Sequence, residues 1–279
     1  MRIAAALLTL CLAGCDEPPA PPANTPAAAA ASPTPLADPT ATPAGDPAKP
    51  GQDAEPLPDA PKLDAGNTHK PLTRDGSLVV EFAPDPADAK KSKPVRLLLT
   101  CTVVSPRAPS LEVLLCKTNS KEHEAILHTA VDAKFLHSGL VALGLNPGAP
   151  VQFVDPKSGE AKYVAASGPK VAVTVHYRRA GKLHTHPAQE WVTDVKTKKP
   201  MAHEWVFAGS NFFKDPDEPT KAPYYGANGG DVIAVSNFPD SMLDLPVSVG
   251  SDNADLAFEG AYDRVPPPGS KVWVALSRR

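Results

Sequence analysis

The segment VAVTVHYR, residues 171–178, alternates apolar and polar side chains along its length. Its three valines and Tyr177 fall on one face of an extended chain, because successive side chains of a strand point to opposite sides. This period of two indicates a half-buried β-strand. The segment therefore predicts a sheet with one buried face in this part of the chain.

Other strand-like runs flank this segment on both sides. They cover residues 77–82, 95–104, 111–117, 191–193, 202–208, 232–236 and 271–277. The period changes within residues 121–145, where apolar residues recur at intervals of three and four, as on the buried face of a helix: Ala133, Leu136, Leu140 and Leu143. Gly144 then follows as a helix-ending residue. These patterns predict an α+β fold, a strand-rich single domain with one helical insert.

Two Glu-Trp pairs, Glu190-Trp191 and Glu204-Trp205, lie on either side of a turn signal at residues 196–200. A turn midway between two strand-like runs favours a hairpin that brings the two tryptophans close together. Large aromatic side chains contribute most to stability when buried. We therefore expect Trp191 and Trp205 to pack in the core.

The N-terminus has the pattern of a targeting segment. Arg2 supplies a positive charge, and residues 3–12 form an apolar run that is too short to span a bilayer as a helix of about 20 residues. The run ends in Leu12-Ala13-Gly14-Cys15, which resembles the lipobox of bacterial lipoproteins. The resemblance implies that residues 1–14 are removed as a signal peptide and that Cys15 carries the lipid. Two or three acyl chains anchor a protein stably to a membrane.

The next segment has the composition of a disordered tether. Residues 16–66 contain 14 prolines and 14 alanines but no aromatic residue, valine or isoleucine. Such a segment cannot bury enough apolar surface to offset the entropy of ordering it. We therefore expect a disordered Pro/Ala-rich linker over residues 15–66, including the lipidated cysteine, and one folded domain over residues 67–279.

Composition also limits the function classes. The chain has 34 prolines among 279 residues, which excludes an evenly packed helical protein, because proline disrupts helix interiors. The formal net charge is −3, and eight acidic residues against two lysines place −6 of charge in the tether. A general nucleic-acid binder needs a basic face for phosphates, so no nucleic-acid partner is predicted.

Several blocks of the folded part form a series of motifs: Leu115-Cys116, Lys121-Glu122-His123-Glu124, Pro187-Ala188-Gln189-Glu190-Trp191, residues 205–210, residues 236–239 and residues 242–246. These blocks are similar to the YdjY-like domain of bacterial envelope proteins. They occur in the expected order, and the similarity covers about residues 95–279. The resemblance implies one folded unit, and it implies no activity or cofactor.

Two cysteines remain after the predicted processing, Cys101 and Cys116. If residues 106–110 form a hairpin turn, Cys101 lies opposite Cys116, and a disulfide is geometrically possible in an oxidising compartment. Two alternatives stay open at this point. The thiols are free and buried, or Cys116 is a reactive thiol paired with His123.

Histidines form two further patterns. His123 and His128 are five residues apart, whereas the zinc metalloprotease motif needs a spacing of four, so no catalytic zinc is predicted. Lys121-Glu122-His123-Glu124 is either the start of a helix, with Ser120 or Asn119 as its cap, or part of a polar ligand site. For that ligand site the candidates are His123, Glu124, Glu190 and Asp244.

His184 and His186 lie on one face of a predicted strand, about 6.5–7 Å apart along it. If the preceding turn is residues 179–181, His176 joins them as a third candidate metal ligand. A two-residue turn instead places His176 on the opposite face. The alternative interpretation of all three is a plain surface strand.

Taken together, these features predict a lipoprotein anchored to a membrane of the bacterial cell envelope, with its domain on the periplasmic side. The expected partners are the membrane, through the lipid, and an envelope protein or small ligand, through the domain. No catalytic residue, metal or cofactor is predicted. The alternative hypothesis is an envelope enzyme or metal-dependent factor that uses Cys116, His123 and Glu124.

Overall fold

The computed structural model describes residues 54–104, 111–154, 162–249 and 257–279. The predicted signal peptide, Cys15 and most of the predicted tether lie outside these residues. The predicted turn at residues 106–110 also lies outside them.

The described residues form strands, one α-helix and three short 3₁₀ turns. The strands are β1 (Thr68–Pro71), β2 (Leu78–Asp85), β3 (Asp88–Val103), β4 (Val113–Lys117), β5 (Ala125–Thr129), β6 (Gln152–Val154), β7 (Lys162–Val164), β8 (Lys170–Arg179), β9 (Lys182–Pro187), β10 (Val192–Asp194), β11 (Trp205–Phe207), β12 (Phe212–Phe213), β13 (Tyr224–Tyr225), β14 (Ile233–Ala234), β15 (Leu243–Asp244), β16 (Phe258–Gly260) and β17 (Lys271–Arg278). The helix α1 is Ala133–Ala142, and the 3₁₀ turns are Glu122–Glu124, Ala188–Trp191 and Gly226–Gly229.

Eight strands close into a barrel in the order β3-β17-β8-β11-β15-β14-β4-β5, with β5 pairing back to β3. Neighbours are antiparallel except at β14–β15 and β4–β5, which are parallel. Closure depends on the length of β3, which has 16 residues. One edge of β3 pairs with β17, while the other pairs first with β2 and then with β5. The strands β1, β2 and β9 extend the sheet outside the barrel.

The apolar run of β3 is buried on both of its faces. Leu97, Leu99 and Cys101 belong to the central cluster that fills the barrel. Leu98 points the other way and packs with Trp273 of β17 in a second cluster, against which residues 57 and 60 lie. A strand covered on both sides is expected to be continuously apolar instead of alternating, which explains this sequence.

Residues 54–66, predicted as the end of the tether, lie against the barrel. Trp273 Nε1 donates to the Pro58 carbonyl at 2.9 Å, and Arg96 Nη2 donates to the Pro61 carbonyl at 2.6 Å. Proline carbonyls are free to accept such bonds because proline keeps its C=O. The folded unit therefore begins at least 13 residues earlier than the boundary predicted at 66/67, as the described segment 54–66 shows.

A buried ion pair fastens this segment to the sheet. Glu81 is 0% exposed and binds Arg96, which is itself buried. Glu81 Oε1 also accepts bonds from the Leu63 N–H and from Asn67 Nδ2, both at 2.7 Å. Burial acts to raise the pKa of Glu81, but these hydrogen bonds and the Arg96 charge outweigh it and leave the pKa below its usual value.

The predicted helix is confirmed at its apolar positions. Asp132 caps α1 by accepting from the Lys134 N–H at 2.8 Å, and Leu136 and Leu140 are buried in the central cluster. Gly144, with φ of +78°, follows the last turn. The helix was predicted to include the preceding residues 121–129, but these residues are not helical. They form a 3₁₀ turn and β5, because the apolar residues of β5 complete the barrel instead.

The predicted tryptophan hairpin is wrong, although both side chains are fully buried in the central cluster as expected. Trp205 lies in β11, which pairs with β8 and β15. Trp191 ends a 3₁₀ turn, and the following β10 pairs with β16. The turn signal at residues 196–200 is correct locally, because the Asp194 N–H donates to the Lys199 carbonyl and the Met201 N–H donates to the Val192 carbonyl. The returning chain leaves this pairing before Trp205, which long-range pairing places in β11.

Candidate functional site

Cys101 and Cys116 are both free and buried in the structure. The hairpin that would set them opposite each other does not form, because β5 lies between β3 and β4 in the sheet. The two residues also belong to different apolar clusters. Burial raises the pKa of Cys101 well above its usual value and raises that of Cys116 to about 12.

The Cys116–His123 pairing of the enzyme hypothesis has no geometric support. Cys116 is 0% exposed, and its high pKa keeps it in the thiol form, whereas the thiolate is the nucleophile. The His123 side chain is 76% exposed, and its Nε2 lies 3.7 Å from Glu124 Oε2. The two groups thus occupy opposite environments, one in an apolar cluster and one in solvent.

Lys121 is surrounded by acidic and aromatic side chains. We name Lys121 and its neighbours Glu112, Glu124, Asp231 and Phe238 the Lys121 cage. Lys121 Nζ is 3.0 Å from Asp231 Oδ1 and 3.3 Å from Glu124 Oε1. It also lies 3.9 Å from the centroid of the Phe238 ring, a cation–π contact. An ammonium site of this kind is already filled by the chain's own lysine.

Two carboxyl groups of the cage have unusual protonation. Burial, followed by the charge of Glu124, raises the pKa of Glu112 to about 7. Burial also raises the pKa of Asp231, although Lys121 opposes the shift. Neighbouring carboxylates that cannot all ionise favour a shared proton. The cage therefore combines carboxyl groups of raised pKa with the ammonium group of Lys121.

Asp244 lies in β15 and is 0% exposed. Its Oδ1 accepts from Asn237 Nδ2 at 2.9 Å and from the Leu245 N–H at 2.7 Å, while Oδ2 has no hydrogen-bond partner among the described residues. Burial raises the pKa of Asp244 to about 7 despite these bonds. The predicted ligand residue is thus a buried structural carboxyl.

The turn between β8 and β9 has two residues, since Arg179 pairs with Lys182. His176 therefore pairs with Thr185, and it faces away from His184 and His186. The three-histidine cluster therefore does not form, which is the outcome expected for a two-residue turn. Among the described residues, no group of three or more His, Cys, Asp or Glu side chains is placed to hold a metal ion.

His176 instead has a structural partner on the outer face. Its Nδ1 lies 2.9 Å from the Thr185 hydroxyl, and the side chain is buried. Burial lowers the pKa of His176 to about 4, so the ring is neutral at physiological pH.

A cleft of about 200 Å³ lies at the mouth of the barrel, where β8 ends. We name it the Tyr177 cleft, and its lining residues are Tyr177, Arg179, His184, His186, Glu190, Trp191, Asp263 and Arg264. Barrel mouths are common places for ligand sites, because the closed sheet holds side chains from several strands around one opening.

The period of two in β8 explains this arrangement. Val175 and Tyr177 point into the barrel, so the next residue of the same face, Arg179, reaches the mouth. Tyr177 pairs across the strands with His184, and their rings stack with centroids 5.2 Å apart and planes 16° apart. Trp191 packs edge-on against Tyr177 at 5.2 Å, and these two almost fully buried rings lie beneath the cleft as its apolar floor.

Charged groups surround these rings. His186 Nδ1 lies 2.9 Å from Glu190 Oε2, which fixes the imidazole of His186 and engages that carboxylate. Arg179 Nη1 donates to the Asp263 backbone carbonyl at 2.6 Å. Burial raises the pKa of the Tyr177 hydroxyl, while the positive charge of Arg179 acts in the opposite direction. The guanidinium is therefore close enough to act on the cleft electrostatically.

The candidate ligand residues are not brought into one site. His123 and Glu124 belong to the region of the Lys121 cage, Asp244 is buried, and Glu190 lines the Tyr177 cleft. The sequence analysis did not identify Arg179 as a site residue. The alternation that predicts an inward-pointing Tyr177 also predicts that Arg179 lies on the same face of β8. Asp263 and Arg264 were missed because no local pattern shows that they meet β8.

No helix of the described residues is long and apolar enough to cross a membrane.

The comparisons with known proteins place the chain in a family. No curated protein and no solved structure matches the chain. The sequence matches the model of the YdjY domain over residues 89–277, which is more than half of the chain and runs from the start of β3 almost to the end of β17. The chain therefore belongs to the YdjY domain family.

Proposed function

We propose that this protein is a lipid-anchored binding protein of the bacterial cell envelope. Cys15 carries the lipid, the Pro/Ala-rich segment after it is the tether, and the barrel displays the Tyr177 cleft to a small ligand on the periplasmic side. The lipobox Leu12-Ala13-Gly14-Cys15 supports the anchor.

The Tyr177 cleft is the observation that carries the binding role. It combines an apolar floor, stacked rings and charged groups of both signs in one concavity at a barrel mouth. A few convergent polar groups above apolar walls are the usual composition of a small-molecule site.

The attachment of the tether supports the same arrangement. Glu55 Oε1 accepts from the Gly181 N–H at 3.3 Å, and the Glu55 carbonyl accepts from the Lys271 N–H at 2.9 Å. Gly181 lies in the turn that follows Arg179, so the segment leading from the anchor meets the domain beside the cleft. A ligand bound there would be held close to the point of attachment.

Detergent phase partitioning of the chain, expressed in a bacterium with its own N-terminus, tests the anchor. We expect the wild-type chain in the detergent phase and the Cys15→Ser chain in the aqueous phase. Cys11→Ser is the matched control, because residue 11 belongs to the segment predicted to be removed, and it should partition like wild type. Equal partitioning of the wild-type and Cys15→Ser chains would contradict the proposal.

A further inference from the structure

We propose that the Tyr177 cleft binds a small zwitterion, an α-amino acid, with its carboxylate on the guanidinium groups of Arg179 and Arg264 and its ammonium group on the Asp263 carboxylate. This inference rests on the proposed binding role of the cleft. It adds the chemical class of the ligand.

The two arginines supply the anion-binding half. Arg179 Nη1 donates to the Asp263 carbonyl at 2.6 Å, and Arg264 Nη1 donates to the Glu190 carbonyl at 3.3 Å. These bonds fix the direction of each guanidinium while using few of its five N–H donors. Within the described part of the chain, neither arginine forms an ion pair with a carboxylate. The remaining donors suit a carboxylate, which guanidinium groups bind in a bidentate geometry.

The acidic half of the cleft is also only partly engaged. Glu190 is occupied by His186 at 2.9 Å. Asp263 is exposed, and in the described residues its carboxylate is in no ion pair, because Arg179 binds its backbone carbonyl instead. The residues that line the cleft therefore include two arginines and one aspartate that form no ion pair among the described residues. A molecule with a carboxylate and an ammonium group satisfies both signs at once.

The size of the cleft restricts the ligand further. Its volume is about 200 Å³, below the range of roughly 300–1,000 Å³ typical of sites for drug-sized ligands. A single amino acid fits this space, with its side chain towards the stacked rings of Tyr177 and His184. A long peptide or an oligosaccharide would extend far beyond it.

NMR titration of the chain covering residues 16–279 tests this inference with three matched probes. L-Alanine carries both charges, N-acetyl-L-alanine lacks the ammonium group, and L-alaninamide lacks the carboxylate. We expect L-alanine to shift the imidazole signals of His184 and His186 but not that of His137, which lies on α1. We expect the two blocked probes to bind 10- to 100-fold more weakly, because a charge-assisted hydrogen bond contributes about 1.5–3 kcal/mol.

Variants separate the two charged halves. Arg179→Gln and Arg264→Gln should each weaken L-alanine binding at least tenfold, and Asp263→Asn should weaken it while leaving N-acetyl-L-alanine unaffected. Arg178→Gln is the matched control, since Arg178 lies on the opposite face of β8 and bonds the Gly181 carbonyl, and it should bind like wild type. An unchanged His137 signal confirms that each variant is folded.

Three outcomes would overturn the inference. These are equal binding of the three probes, equal losses for Arg178→Gln and Arg179→Gln, and no shift of His184 or His186 at 100-fold excess of L-alanine over protein at millimolar concentration. The first two leave the cleft as a site for another ligand class, so the proposed function survives them. Membrane anchoring is measured separately by partitioning, and its failure would leave the titration result intact.

Discussion

Asp244→Asn should change how the stability of this protein depends on pH. The carboxyl is fully buried, has one oxygen that finds no hydrogen-bond partner within the described part of the chain, and has its pKa raised to about 7 by burial. A neutral asparagine keeps the acceptor for Asn237 and the Leu245 N–H. The substitution therefore removes the ionisation of the side chain while preserving its shape and main contacts.

The magnitude follows from the shift in pKa between the unfolded and folded chains. Asp244 moves from 3.8 to about 7, and one unit corresponds to about 1.4 kcal/mol, which gives at most about 4 kcal/mol. Because the folded pKa is the higher one, this stabilisation is complete below pH 4 and is lost as the pH rises through 7. The wild-type chain should thus lose up to about 4 kcal/mol, relative to the variant, between pH 4 and pH 8.

Urea unfolding at one-unit steps from pH 4 to pH 8, followed by tryptophan fluorescence, measures the difference in unfolding free energy. Because wild type and variant share the other groups that titrate in this range, the contributions of those groups to the unfolding free energy cancel in the difference. Glu112 acts in the same direction as Asp244, and His176, with its lowered pKa, acts in the opposite one. Asp217→Asn, the same substitution at an exposed position, is the control, and its unfolding curve should match that of wild type. A constant difference between wild type and Asp244→Asn across this range would refute the reasoning.

Three further substitutions or measurements test the fold. Glu81→Gln should destabilise the protein by about 3–5 kcal/mol in urea unfolding, because it leaves a buried guanidinium uncompensated, and a loss below 1 kcal/mol would contradict the buried ion pair. Gly168→Ala should cost about 2–3 kcal/mol, since a Cβ there would lie 2.2 Å from the Phe207 carbonyl oxygen, and an unchanged melting temperature would exclude this close approach. Thiol titration of denatured residues 16–279 without reductant should count two thiols, Cys101 and Cys116, whereas a count of zero would demonstrate a disulfide.

The sequence was sufficient where the signal was local and periodic. The alternation over residues 171–178 identified β8, and the spacing of Ala133, Leu136, Leu140 and Leu143 identified α1. Each pattern reflects one face of one element against the core, so it can be recognised without knowing the partner. The family of the domain was likewise recognised from its sequence blocks.

Features that depend on distant pairing could not be predicted in this way. The barrel closes because residues 102–103 of β3 pair with residues 127–128 of β5, and no local pattern encodes that pairing. The position of His176 depended on a single residue of turn length, which decides the face of the strand. The segment 54–66 is rich in proline and poor in apolar residues, yet its backbone carbonyls and Leu57 attach it to the barrel.

The residues of the candidate site also divide into those that a local pattern predicts and those that depend on distant contacts. Tyr177, His184 and His186 were visible as strand residues of a known face, and Arg179 follows from the same alternation. Asp263 and Arg264 reach the cleft from about 80 residues further along the chain, through bonds to backbone carbonyls. Such contacts use atoms that every residue possesses, so the residue types involved give no signal in the sequence.

Mass spectrometry of the N-terminal peptide from membrane-extracted protein tests the central claim most directly. The account predicts that the peptide begins at Cys15 and carries the mass of a diacylglycerol group on its sulfur. A peptide that retains residues 1–14, or one that begins at an unmodified Cys15, would contradict the proposal that this protein is lipid-anchored.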